Sequence, residues 1–223
     1  MYLSRGYNRR QIPLGSIEYM NIVYDHNYVR VIDHVLTADH CARLCVRFEA
    51  EHAQHTRRDS EWVSLTELAL TAPGNMISRN PLQRLRAAQD TIWPEVLEPL
   101  ALRLRALAEQ YAQTWGMWQG ITFLPQDYSM EGMRIKCYRP HSGDQFRTHV
   151  DVANRDSSSR FLSFLLYLND SDAGTHFARD SYTVQAQEGR VVLFPPLWTH
   201  PHAGLEPKGS TTKYILSTYL HYL

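Results

Sequence analysis

The chain has few cysteines, and their number is odd: three among 223 residues. That argues against a disulfide framework and fits a reducing compartment, so a cytoplasmic location is expected. It also lacks net charge. Its 23 basic and 23 acidic residues cancel, which removes the electrostatic case for nucleic acid or a polyanionic surface as partner. No apolar run reaches the roughly 18 residues that a membrane span needs, so no membrane partner is expected. No apolar core of a secretory signal follows Met1-Tyr2-Leu3-Ser4-Arg5-Gly6. Repeats, linkers and low-complexity tracts are missing too. What is present is ordinary: 43% hydrophobic and 21% charged residues, in a chain long enough to bury one sizeable core. Residues 1–223 are therefore read as a single domain.

Two textures divide it. The first dozen residues carry no periodicity and read as an extended arm. Asn21 to Tyr24 and Tyr28 to Ile32 look like strands around the polar turn Asp25-His26-Asn27. Thr37 is placed to cap a helix that brings Cys41, Leu44, Cys45 and Phe48 to one face. Ser64-Leu65-Thr66-Glu67 has the form of a capping box. Asn80-Pro81 starts another helix, and Leu97 to Trp115 a further amphipathic one. From Met133 onward short apolar or alternating runs replace helices: 133–139, 160–169, 182–187, 190–194 and 211–222, separated by turn signals. Helices followed by many strands indicate an α+β fold, with 1–132 as mainly helical support and 133–223 as a strand-built core.

The chemistry concentrates in the second part. In His149-Val150-Asp151 an imidazole and a carboxylate two residues apart project to one side if the segment is a strand. With one distant histidine they make the two-histidine, one-carboxylate set of a non-haem iron(II) oxygenase, which leaves positions open for co-substrate and oxygen. The segment Trp198-Thr199-His200-Pro201-His202-Ala203-Gly204 offers two histidines for that third place, and strand periodicity cannot choose between them. Pro201 restricts His200 to extended conformations and supplies no backbone donor, which suits a strand entry better than a paired position. Lys213 lies in an apolar run, where an ammonium is costly to bury unless it meets an anion. His34, His40, Cys41 and Cys45 are close in sequence, but their spacing matches no usual zinc site and the thiols read as core residues. His176 could line a cavity or sit at a strand edge. His52, His55 and His221 read as surface positions.

The succession Arg134 to Tyr138, His149-x-Asp151, Phe164 to Asn169, Gly174-Thr175-His176-Phe177, Gly189 to Pro195, His202-Ala203-Gly204 and Gly209-x-x-x-Lys213-Tyr214 resembles the iron(II)- and 2-oxoglutarate-dependent dioxygenases of the prolyl-4-hydroxylase-like branch. The similarity spans most of 133–222 in the family's order. Ala173-Gly174 stands where the family has paired glycines, a departure read as a change in a turn. The resemblance implies a double-stranded β-helix, or jelly roll, braced by N-terminal helices. It implies iron(II), 2-oxoglutarate and O2, with ascorbate as an accessory, and His149, Asp151 and His202 as metal ligands. His202 is preferred because the family's ligand stands as His-x-Gly, about ten residues before the cation for 2-oxoglutarate. Lys213 would take the distal carboxylate of 2-oxoglutarate, with Tyr138, Tyr167 and Ser217 as further co-substrate contacts. An aspartate at 151, where similar halogenases carry a small residue, points to hydroxylation of an unactivated C–H bond. The implied substrate is a peptidyl residue such as proline, a free amino acid or a related small molecule, with the loop Asn154 to Arg160 at its mouth. Nucleic-acid demethylation is disfavoured by the neutral charge and by Lys213, where those relatives carry arginine. The competing reading is a non-catalytic cupin-like binding module, which has no need of a buried cation placed for a second carboxylate. Oligomeric state is not legible.

Overall fold

The computed structural model describes residues 21–70, 94–125 and 127–223. Strands β1 (Asn21–His26) and β2 (Val29–Asp33) form a hairpin, followed by helix α1 (Ala38–Ala50) and the hairpin β3 (Thr56–Asp59) and β4 (Val63–Ala69). Helix α2 (Pro94–Trp115) leads into a small ribbon, β5 (Met117–Trp118) with β6 (Ile121–Thr122). Then come β7 (Tyr128–Met130), β8 (Arg134–Tyr138), β9 (Gln145–His149), β10 (Arg160–Tyr167), β11 (Ser171–Phe177), β12 (Tyr182–Ala186), β13 (Val191–Phe194), β14 (His202–Gly204) and β15 (Lys213–Tyr222). The main sheet runs β1-β2-β13-β10-β15-β8-β4-β9-β14-β11-β12, with β3 added to β4 and β7 to β15. Every ladder among these strands is antiparallel. The sheet curls at β4, which pairs with both β8 and β9, and so makes the half-barrel of a jelly roll.

Side-chain alternation gives the sheet two apolar faces. Leu65, Tyr138, Leu165, Tyr167, Val192 and Ile215 turn inward and form one buried cluster. Their neighbours Ile135, Phe164, Leu166, Leu193 and Leu216 turn outward and meet Cys41, Leu44 and Phe48 of α1 and Leu97, Leu100, Leu104 and Leu107 of α2. The apolar stripe of each helix covers that outer face. Thr37 caps α1 by accepting from the His40 amide at 3.3 Å.

Several expectations need correction. Ser64 to Glu67 is no helix start but the middle of β4, where pairing to β3 and β8 overrides the local capping signal. The first hairpin turns at Asn27 and Tyr28, two residues later than read; both hold positive φ (48° and 61°), the geometry that matches strand twist. Residues 21–132 are not mainly helical among those described, because five of their strands (β1, β2, β3, β4 and β7) extend the main sheet and the helices only cover one face of it. The arm and the helix start at Asn80-Pro81 lie outside the described residues.

Candidate metal centre

His149 ends β9 and His202 begins β14, and the two are direct partners across the ladder. Their rings lie 4.4 Å apart between centroids. Asp151 stands two residues beyond the end of β9 rather than on it, so the shared strand face expected for His149 and Asp151 is not what joins them. The chain bends after His149 instead, and Asp151 reaches back to both rings. Its Oδ1 is 3.6 Å from His149 Nε2 and its Oδ2 is 3.6 Å from His202 Nε2. The three donor atoms lie within 4.8 Å of one another, and among the described residues this is the group that could hold a metal ion.

Both imidazoles are oriented for that task. His149 Nδ1 is 2.8 Å from the Arg147 carbonyl and His202 Nδ1 is 3.0 Å from the His200 carbonyl. A carbonyl only accepts, so each Nδ1 carries the hydrogen and each Nε2 presents its lone pair inward. Phe146 stacks on His149 at 3.4 Å, and Phe194 stands edge-on to His202 at 4.8 Å. Burial pulls His202 down to about 4 against the attraction of Asp151, so the ring is neutral at physiological pH. Burial alone would raise the Asp151 carboxyl, but the attraction of the neighbouring His202 and His149 and of Lys136 outweighs it and holds it well below the usual carboxylate range. A neutral imidazole and an ionised carboxylate are the forms that bind metal. The Tyr219 hydroxyl donates to Asp151 Oδ1 at 2.8 Å, whereas the buried Oδ2 has no hydrogen-bond partner among the described residues. A buried carboxylate oxygen without a partner costs stability unless something binds it, and two Nε2 lone pairs converge on the same place. The residues fit a divalent metal with open coordination positions.

Lys213 is 1% exposed, on the inward face of β15, with its Nζ 4.1 Å above the Tyr138 ring. Burial pushes it down to about 7, opposed by Asp172. Its donors reach the carbonyls of Gly174 and Leu205, and among the described residues no carboxylate forms an ion pair with it. Ser217, four residues on and inward like Lys213, has a buried hydroxyl without a partner. Tyr138 is fully buried against the same cation, while the Tyr167 hydroxyl donates to Thr175 Oγ1 at 2.8 Å. Gly174 lies in β11 and not in a turn. A Cβ there would come within 1.9 Å of the Val184 carbonyl, so the glycine is required by close strand approach.

Other sequence candidates lie elsewhere. His200 is held apart from the centre, with Nε2 2.8 Å from the Asn27 carbonyl. His176 points outward between the inward Thr175 and Phe177 and meets Thr183, so it does not line the interior. His221 is no surface residue: it is buried, 2.9 Å from Glu131 and 3.0 Å from Ser159. Cys41 and Cys45 pack in the outer core, where burial pushes both thiols up to about 12, far from the thiolate that zinc takes.

Residues 133–221 match the family model described as the 2OG-Fe(II) oxygenase superfamily. That stretch, the strand-built second part of the chain, is similar to the 2OG-Fe(II) oxygenases. Among solved structures, the viral collagen prolyl hydroxylase of Paramecium Bursaria Chlorella virus-1 in its 2OG complex is 16% identical with TM-score 0.60, covering 90% of this chain and 99% of its own. A Trichoplax adhaerens prolyl hydroxylase, solved with a hypoxia inducible factor oxygen degradation domain peptide fragment, is 12% identical with TM-score 0.61, covering 88% and 84%. A Pseudomonas putida prolyl-4-hydroxylase is 21% identical with TM-score 0.54, covering 88% and 93%. No curated protein matches the sequence. The chain thus has the fold of these prolyl hydroxylases, and its residues 133–221 are similar to oxygenases that use iron(II) and 2-oxoglutarate. No helix among the described residues is long and apolar enough to cross a membrane.

Sequence reasoning passed over Lys136 and Tyr219. Two-residue alternation could have found both, since Lys136 shares the face of Tyr138 and Tyr219 that of Lys213 and Ser217. It also passed over Glu131, which accepts from Arg160 at 2.8 Å and braces the segment next to Asp151, whose carbonyl accepts from Arg160 at 3.0 Å.

Proposed function

We propose that this protein is an iron(II)- and 2-oxoglutarate-dependent dioxygenase that hydroxylates an unactivated C–H bond of a peptidyl residue such as proline, a free amino acid or a related small molecule. The observation that carries this reading is the convergence of two Nε2 atoms and an unpartnered carboxylate oxygen on one point. His149, Asp151 and His202 hold the iron. Tyr219 and the backbone carbonyls of Arg147 and His200 fix the orientation of these ligands. Lys213 pairs with the distal carboxylate of 2-oxoglutarate, and Ser217 supplies the hydroxyl that has no other partner. Tyr138 forms the floor under that cation and keeps water from it. Tyr167 joins the co-substrate contacts by turning its hydroxyl from Thr175. When bound, iron and 2-oxoglutarate supply an oxidant generated by oxidative decarboxylation to succinate and carbon dioxide; the protein supplies position and a dry pocket.

The test is succinate release by the iron-loaded protein with 2-oxoglutarate and a panel of proline peptides and free amino acids, with products weighed for one added oxygen. Succinate formed only with iron, and a product heavier by one oxygen, are expected. A protein that binds iron and 2-oxoglutarate yet never forms succinate would instead be a binding module.

A further inference from the structure

Lys136 has no role in the chemistry above, yet it is 6% exposed and faces the barrel interior. It lies two residues before Tyr138 on the same side of β8, opposite Glu67 of β4 in the ladder. Among the described residues it has no hydrogen bond and no ion pair, and its Nζ lies 5.8 Å from the centre of the Phe146 ring. Phe146 is the ring stacked on His149, so the ammonium stands beside the metal centre. Burial pushes it down to about 8, with the Asp151 charge as the largest opposing influence. A buried lysine normally secures an acceptor, since an unpaired ammonium away from water is costly. Lys136 is buried and unpaired.

Its neighbours cannot complete it. Glu67 has one oxygen without a hydrogen bond and shares its charge with Arg58 at 3.8 Å; Arg58 also stands over Phe146 at 5.7 Å. The charge of Asp151 is committed to the metal. In the loaded enzyme the two charges of iron(II) and that of Lys213 balance Asp151 and the two carboxylates of 2-oxoglutarate. Lys136 and Arg58 against Glu67 then leave one positive charge over, next to the reacting centre. Lys136 faces Ile215 in the ladder and Lys213 faces Tyr138, so the two lysines start from different ladder positions, about 7–8 Å apart as diagonal neighbours.

We propose that Lys136 anchors a carboxylate of the substrate. The inference rests on the oxygenase reading and narrows its substrate to a small molecule with a free carboxylate, in preference to an internal residue of a peptide. Such a group would pair with Lys136 above Phe146 and hold the rest of the molecule against the metal centre.

The experiment uses the iron(II)-loaded enzyme with 2-oxoglutarate, without oxygen, and reads binding from the change in the absorption of the iron–2-oxoglutarate complex. The probes are the free L-amino acids, their carboxamides and a peptide with an internal proline. At least one free acid should bind, with its carboxamide weaker by about tenfold or more. Lys136→Gln should bring the acid down to the affinity of the amide, and Lys136→Arg should restore part of the difference. Lys136→Met should in addition raise the melting temperature, because it removes an unpaired buried charge, and that readout needs neither metal nor turnover. The proposal is overturned if no free acid binds, if amides or the peptide bind as well as acids, or if the preference survives in Lys136→Gln. It is overturned too if Lys136→Gln acts on 2-oxoglutarate affinity alone, which would assign the cation to the co-substrate. Failure to bind iron or 2-oxoglutarate at all sinks the oxygenase reading, and this inference with it.

Discussion

The two faces of the sheet are finished in different ways. The outer face meets two helices, and its leucines and phenylalanines find their contacts within the chain. The inner face is apolar along much of its length but keeps several polar groups that the chain does not satisfy. Of the six buried side-chain atoms without a hydrogen-bond partner among the described residues, four belong to inward residues: Glu67, Asp151, Ser163 and Ser217. Two lysines without a carboxylate partner stand there as well, Lys136 and Lys213. A fold tolerates such costs where a ligand repays them. The outer face carries stability and the inner face carries binding, so changes on the two should separate.

The largest effect belongs to the metal ligands. Asp151→Ala or His202→Ala should abolish iron binding and succinate release, while His200→Ala, whose ring meets Thr199 and the Asn27 carbonyl away from the centre, should retain metal. Metal titration of the three variants in parallel decides it, and the reverse pattern at 200 and 202 would move the ligand by two residues. Next comes the outer face. Leu104→Ala removes a fully buried side chain of α2 and should cost about 2–5 kcal/mol in denaturant unfolding. Its 2-oxoglutarate affinity per folded molecule should stay unchanged; a fall would blur the division between the faces.

Lys213→Ala should weaken 2-oxoglutarate by roughly tenfold to several-hundredfold while sparing metal, because one partner of a buried ion pair is lost. Calorimetric titration measures both. A smaller effect follows from pH. Burial has pulled Lys213 down to about 7 in the ligand-free protein, so above that pH the amine is mostly neutral and must take up a proton to pair with a carboxylate. The affinity for 2-oxoglutarate should therefore be greatest below about pH 7 and fall above it, by up to about tenfold per pH unit. Proton uptake on binding at pH 8, seen as a dependence on buffer ionisation heat, checks the sign. The smallest effect is that of Tyr219→Phe, which removes the donor to Asp151 Oδ1 and should lower iron affinity by about tenfold. An unchanged affinity would make the hydroxyl a packing feature only.

How much was legible in the sequence depended on the range of the interaction. The helices at Thr37 and Leu97, and the strands from Arg134 onward, follow from caps and periodicity, which are local and written in consecutive residues. The β4 segment was misread because a local capping pattern competes with a ladder to strands far along the chain. The order of motifs from Arg134 to Lys213 was enough to carry the resemblance and the candidate ligand types, because iron(II) chemistry of that kind needs those residue types. The sequence by itself determined that two histidines and an aspartate were available, that one lysine lay in an apolar strand, and that strands build the chain from Arg134 onward. The tertiary structure alone decided which histidine stands opposite His149, that Asp151 reaches the centre from a bend past the strand end, and that Lys136 and Tyr219 share the interior with it. Those are matters of register and curl between strands tens of residues apart, and no local pattern encodes them.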